Sequence, residues 1–276
     1  MKKDNLQWLV PVVLALGVAV ALWFYWSRSH SPTQRIEQPV AAPEQAPADE
    51  APAQPAHPLP DAGAAAGDKP ALRPLPPLDR SDEYFELALT DLFGDPIGER
   101  LADSRLIERI VATIDNLPRE QVAERIRPLG SVPGQFAVEG EEGDDKFVLN
   151  PENYRRYDNL VGMIAQTDTP DMVELYKRFY PLFQKAYADL GYPDGYFNDR
   201  LVEVIDHLLA TPQVDEPIPL VRPHVLYEFA DPELEKLSSG QKALLRIGGE
   251  NAAVVKEKLR EFRQQIVIQG DARTEQ

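Results

Sequence analysis

Residues 170–210, PDMVELYKRFYPLFQKAYADLGYPDGYFNDRLVEVIDHLLA, decide the fold class. Apolar residues recur there at helical spacing, and Gly191-Tyr192-Pro193-Asp194-Gly195 interrupts them. The stretch reads as two helices, Pro170 to Leu190 and Tyr196 to Ala210, with Pro181 expected to kink the first. Upstream, Ser81 is placed to cap a helix over Asp82 to Phe93 that Gly94 closes. Ser104 opens RLIERIVATIDNL, with Leu106, Ile110, Ile114 and Leu117 on one face and Pro118 as its limit. A short helix over Glu120 to Ile126 follows. The period then changes: Gln135 to Val138 and Lys146 to Leu149 flank a Gly/acid loop and read as a β-hairpin. Helices resume at Pro151 to Ala165, Pro232 to Leu237 and Gln241 to about Val267, the last with an expected break at Gly248-Gly249. Val225 to Phe229 is a candidate third strand. The fold class expected is mainly α with a small β-hairpin or sheet (α+β), in one body over residues 78–276.

Outward from that body the composition changes twice. Trp8 to Trp26, WLVPVVLALGVAVALWFYW, has no charge and contains all 3 Trp of the 276-residue chain. As a helix it spans roughly 28 Å, close to the ~30 Å hydrocarbon core of a bilayer. Trp8 stands at one end and Trp23, Tyr25 and Trp26 at the other, as in interfacial aromatic belts. Ala19-Val20-Ala21 has the small–x–small form of a leader cleavage site, but cutting there leaves Leu22 to Trp26 as an exposed apolar end. One uncleaved N-terminal transmembrane helix over 8–26 is the expectation. Lys2, Lys3 and the free amine put residues 1–7 in the cytoplasm and the body across the membrane, which in a bacterium means an inner-membrane protein with a periplasmic body.

Residues 27–77 form a Pro/Ala-rich segment with twelve of the chain's 26 prolines. Such a composition buries too little apolar area to offset ordering entropy, so a disordered, partly polyproline II linker is expected. A proline-motif ligand is the alternative reading of it. Formal net charge is −16. The segment through Ser31 carries +2 and residues 32–77 carry −3, which leaves −15 on the body from Leu78. Such a body lacks the electrostatic footprint of a nucleic-acid binder, is repelled by anionic lipid heads, and favours a cationic or neutral partner. Zero cysteines exclude disulfides, thiol nucleophiles, Cys-ligated zinc and lipoprotein acylation.

Candidate chemistry concentrates on the helix from Tyr196 to Ala210. Leu201, Val204, Ile205 and Leu208 point one way, and Asp199, Arg200, Glu203, Asp206 and His207 the other. Asp199, Glu203 and His207 are spaced i, i+4 and suit an acid–base pair or part of a metal site, or the solvated face of an amphipathic helix. No second His-rich segment completes a metal site, and no cofactor is expected. Tyr192 and Tyr196 are expected to be the reachable rings of the aromatic run from Tyr176 to Phe197, which is either core or the wall of a groove for a peptide or glycan. Ser239-Gly240-Gln241-Lys242 matches S-x-x-K, but with the order reversed and no K-[ST]-G it reads as a helix cap. Glu139, Glu141, Glu142, Asp144 and Asp145 form an acidic hairpin tip whose spacing fits no EF-hand. Ala252, Val255, Leu259, Phe262 and Ile266 make a short heptad seam, packing on its own domain or forming a homodimer through 252–266.

Tyr192 to Pro212 and Val221 to Arg263, together with IERIVATIDNLPR (107–119) and ENYRRYDNLV after the hairpin, resemble the proteobacterial family catalogued as domain of unknown function 3014. The resemblance covers Leu78 to about Gln265 and the anchor-and-linker layout. It implies architecture and a bacterial envelope setting, and brings no activity, cofactor or catalytic residue. The functional expectation is a membrane-anchored periplasmic binding or scaffolding module, contacting the lipid bilayer through 8–26 and an envelope protein or glycan through its body. The alternative is an envelope glycan or peptide hydrolase using the carboxylates of the 196–210 helix.

Overall fold

Apolar residues at helical spacing become eight α-helices in the computed structural model, which describes residues 54–59, 74–140 and 146–267. They are α1 (Asp82–Phe93), α2 (Leu106–Asn116), α3 (Glu152–Gln166), α4 (Thr169–Asp189), α5 (Phe197–Leu209), α6 (Pro232–Glu235), α7 (Ser239–Arg246) and α8 (Gly249–Val267). The four strands are short: β1 (Val138–Glu139), β2 (Phe147–Leu149), β3 (Pro219–Val221) and β4 (Glu228–Phe229). They form one antiparallel sheet in sequence order, with Val138 opposite Leu149, Phe147 opposite Leu220, and Leu220 opposite Phe229. The protein is mainly helical with a small sheet. Among the described residues, no helix is long and apolar enough to cross a membrane. The apolar span 8–26 and the hairpin-tip residues 141–145 lie outside the described residues.

Two apolar clusters hold the body together. The larger gathers α1, α2, α4 and α5 around aromatic rings. Phe85 meets Phe179 edge-on at 4.8 Å, and Phe183 stacks on Phe197 at 5.7 Å. With the chain's Trp confined to 8–26, these rings supply most of the large-area burial, each phenylalanine contributing about 1.5–3 kcal/mol. The smaller cluster packs Phe147, Leu149, Leu220 and Phe229 of the sheet against Leu245 of α7 and Leu237.

Several local expectations are corrected. The helix expected over 120–126 is a single 3-10 turn, Glu124–Ile126. Its carbonyls are taken by neighbouring side chains instead of by helix continuation: Thr113 Oγ1 donates to Ile126 O at 2.8 Å, and Arg109 Nη1 donates to Arg125 O. Ser104 does not cap α2. Both Asp82 carboxylate oxygens do, accepting from Arg105 N at 2.7 Å and Leu106 N at 2.8 Å. Ser81 likewise makes no cap bond and donates to Leu78 O. The expected strand over 225–229 shrinks to β4, leaving Val225 and Leu226 exposed in the loop before it. Its partner β3 begins at Pro219, and a proline at the first strand position removes no ladder donor. The helix at 82–93, the second hairpin strand and the break between α7 and α8 fall where expected, while β1 begins only at Val138, the last residue of the strand expected over 135–138. The heptad seam packs within its own body: Leu259, Phe262 and Ile266 join the larger cluster.

Gly248 makes the α7–α8 break. Its φ of +87° is one that side chains resist, and a Cβ there would stand 2.6 Å from Tyr154 Cγ. Left-handed strain of roughly 1–2 kcal/mol and overpacking of roughly 1–3 kcal/mol both act on Gly248→Ala. We expect it to cost about 2–4 kcal/mol and to lower Tm by roughly 5–12 °C in a thermal melt. Gly162, inside α3 with nothing within 4 Å of its would-be Cβ, should behave oppositely, Gly162→Ala gaining about 0.5–1 kcal/mol.

Candidate functional site

The site is built on the first turn of α5, whose direction is set from α4. Gln184 is its staple: Oε1 accepts from Phe197 N at 2.8 Å and from Tyr180 OH at 3.0 Å, while Nε2 donates to Gly195 O at 2.7 Å. Phe197 is fully buried. Asn198, the next residue, is equally buried, and its Oδ1 accepts from Tyr176 OH at 3.0 Å. That bond leaves Nδ2 facing outward. Burial holds the Tyr176 phenol well above its ordinary range, with Tyr180 and Asp199 adding to the effect. Burial pushes Tyr180 up to about 12, against a lowering hydrogen bond at Asn198. Both therefore remain neutral donors at physiological pH.

What Asn198 and Asp199 face is a peptide. Residues 54–59, inside the segment expected to be linker, take a defined course against this turn. Asp199 accepts from Ala56 N at 2.9 Å through Oδ2 and from His57 N at 2.7 Å through Oδ1. Asn198 Nδ2 donates to His57 O at 2.8 Å. Leu59 and, further along, Leu75 pack on the larger core. For these residues the expectation of a disordered linker is corrected, because three of their backbone groups find fixed partners and Leu59 packs on the core.

The remaining polar residues of α5 serve other neighbours. Arg200 reaches Asp115 at the end of α2, with Nε to Oδ1 at 2.9 Å and Nη2 to the Asp115 carbonyl at 2.8 Å. The Asp115 side chain is only 3% exposed and that of Arg200 19%. Arg119 Nη2 adds a bond to Asp115 Oδ2 at 3.1 Å. Burial works against the Arg200 charge, but Glu203 and Asp115 more than offset it and hold its pKa above the ordinary guanidinium value. Glu203, 68% exposed, accepts from Arg200 Nη1 at 2.8 Å. Asp206 is clasped by Arg263 of α8 through two bonds, 2.6 and 2.8 Å. His207 Nε2 lies 2.8 Å from Ser238 Oγ, the cap of α7.

Asp199, Glu203, Asp206 and His207 thus sit on one helix but turn to four separate partners: residues 54–59, Arg200, α8 and the α7 cap. Four clefts of about 310–740 Å³ open elsewhere on the body, and none is lined by any of the four. Among the described residues, no group of three or more His, Asp or Glu is arranged to hold a metal ion. Tyr192, 37% exposed, stacks on Tyr187 at 4.7 Å beside Asp115. Tyr196 is half-buried at the N-cap of α5, one turn from the peptide contact. The structure therefore assigns the two tyrosines to different neighbourhoods. Ser239 and Lys242 form no dyad: Ser239 Oγ donates to Leu117 O, and Lys242 pairs with Glu235 at 2.7 Å.

Sequence reasoning missed Asp115, Asn198 and residues 54–59. A signal existed for Asp115, since it lies four residues from Val111 and eight from Ile107, on the stripe that α2 buries. Asn198 carried none, because its role depends on Tyr176, 22 residues away.

A family model described as "Protein of unknown function (DUF3014)" matches residues 106–263. Neither the curated proteins nor the solved structures contain a match.

Asp115→Asn keeps the shape but strips the charge that Arg200 faces. It is expected to cost about 2–4 kcal/mol in urea unfolding at pH 7, discounted for the partial exposure of Arg200. Glu203→Gln, at the exposed end of the same network, should cost less than about 1 kcal/mol. A pH titration tests the tyrosines. The phenols of Tyr154, Tyr176, Tyr180 and Tyr187 are all raised, first by burial. Below pH ~10 folded and unfolded chains are both neutral at these groups, so their contribution is intact. Between about pH 10 and 12 the unfolded chain releases protons that the folded one keeps, and stability must fall. Tyr180→Phe should flatten that loss in alkaline urea titrations.

Proposed function

The chain belongs to the family of proteins of unknown function DUF3014, the match running from the start of α2 almost to the end of α8, and we propose that it serves as a non-catalytic binding and scaffolding module of the bacterial cell envelope. Residues 8–26 hold it in the inner membrane, residues 1–7 face the cytoplasm, and the acidic body stands in the periplasm at the end of a Pro/Ala-rich tether. The observation that carries this reading is the grip of Asn198 and Asp199 on the main chain of residues 54–59. A body that fixes both donor and acceptor groups of a peptide backbone has the chemistry of a peptide-recognition surface.

Two further features support it. The side chains suited to acid–base work are committed to structural pairs, which leaves the α5 face without a paired acid and base aimed at a common point. The charge of −15 on the body disfavours anionic lipid heads and polyanions and suits a cationic or neutral polypeptide. A tethered domain also searches the volume beside a membrane at high effective concentration, which raises weak peptide affinities into a useful range.

The test uses the full chain in intact cells. It should stay with membranes through a carbonate wash, and protease added to spheroplasts should remove the body. A photo-crosslinking residue at Tyr196 should give discrete adducts with envelope polypeptides that are lost in Asp199→Ala. Release by carbonate, protection from protease, or adducts indifferent to Asp199 would each overturn the corresponding part of the proposal.

A further inference from the structure

The segment held by α5 is Gln54-Pro55-Ala56-His57-Pro58-Leu59, a P-x-x-P tetrapeptide with one flanking residue on each side. Proline has no N–H, so between Pro55 and Pro58 the only backbone donors are those of Ala56 and His57. Asp199 accepts both, one on each carboxylate oxygen, at 2.9 and 2.7 Å. The carbonyl that follows them, His57 O, takes the Asn198 amide at 2.8 Å. All three bonds go to main chain, so they read a backbone bent at Ala56 and His57, where two adjacent N–H groups turn to one carboxylate, and the flanking prolines add no competing donor. Each proline fixes its own φ and restricts the residue before it, which lowers the ordering cost of docking. The receiving side is equally prepared: Asn198 is fully buried and held by Tyr176, so its amide needs no rearrangement to donate. Leu59 adds an apolar contact to the larger core just beyond the second proline.

We propose that Asn198 and Asp199 form a binding site for P-x-x-P peptides, occupied at rest by the chain's own residues 54–59, and that a partner's proline-rich segment enters by displacing this strap. The proposal rests on the reading of the body as a binding module and names its ligand class and its resident competitor. The two prolines and the paired N–H groups specify the ligand; the side chains at the Ala56 and His57 positions are free to vary.

Hydrogen exchange on the full-length chain in detergent tests this, with a synthetic capped peptide of residues 52–61 as the probe. In the resting chain the amides of Ala56 and His57 should exchange at least about tenfold more slowly than in the free peptide. Asp199→Ala should bring them to the free-peptide rate. Ala56→Pro, which removes one donor from the strap and leaves the body untouched if Asp199→Ala impairs folding, should bring the remaining His57 amide to its free-peptide rate. Saturating peptide added to the wild-type chain should release the resident segment, while the same peptide with both central prolines replaced by alanine should not at equal concentration. Free-peptide exchange in the resting chain, or protection that survives both variants, overturns the strap. Failure of the peptide to accelerate exchange overturns the ligand class. Membrane retention and crosslinking are read separately, so any of these results leaves the binding-module reading to stand or fall on its own test.

Discussion

The first turn of α5 depends on polar groups that are buried only because each is paired. Asp115 is nearly shut off from water, and a carboxylate in such a place is tolerable only with a cation and further donors around it. Arg200 supplies the cation, and Arg119 completes the shell. One residue pair away, Asn198 is buried without any charge and satisfied by Tyr176. These contacts tie α5 to α2 on one side and to α4 on the other, and so fix where Asp199 points. An apolar replacement of the pairs would hold the helices together equally well, but would leave the rotation of α5 about its own axis undefined. Directional bonding, rather than area, orients the surface that meets the strap.

The fold was largely legible because helices of this size announce themselves by periodicity. The segments at 82–93, 152–166 and 197–209 lie within a residue or two of their expected ends. The failures have physical causes. In α2 the apolar face was drawn through Ile110 and Ile114, whereas burial runs through Ile107, Val111 and Asp115, a rotation of about one residue that hid the acid. Strand β3 was invisible because Pro217 precedes it, Pro219 opens it and Pro223 follows, and three residues carry no alternation worth reading. The site was half legible. Asp199, Glu203, Asp206 and His207 lie on one helix, but periodicity cannot tell which neighbour each side chain will find. Composition argued that residues 27–77 lack a fold of their own, and residues 54–59 do have none; their order is borrowed from the body.

The same device occurs twice in the molecule. Asp82 accepts from two consecutive backbone N–H groups at the start of α2, and Asp199 does so on the strap. In the first case the donors belong to a helix terminus, where they would otherwise be orphaned. In the second they belong to a segment with no secondary structure, flanked by prolines that keep it from forming any. A carboxylate bridging adjacent amides is indifferent to whether the chain beyond them is helix or peptide. This is how a single face can be made from parts that elsewhere serve only to start a helix.

Helices α2 and α7 meet end to end. Ser239 N and Gly240 N donate to the carbonyls of Arg119 and Leu117, at 2.8 and 3.0 Å, so the exposed oxygens behind one helix become the cap of another more than a hundred residues later. The two peptide dipoles run in series, positive end to negative end. A ribosome must therefore deliver the chain as far as residue 240 before the tail of α2 has its closing partner. Closing so long a loop costs entropy that only the assembled body repays, and an interrupted or truncated product is left with an unfinished helix rather than with a smaller working domain.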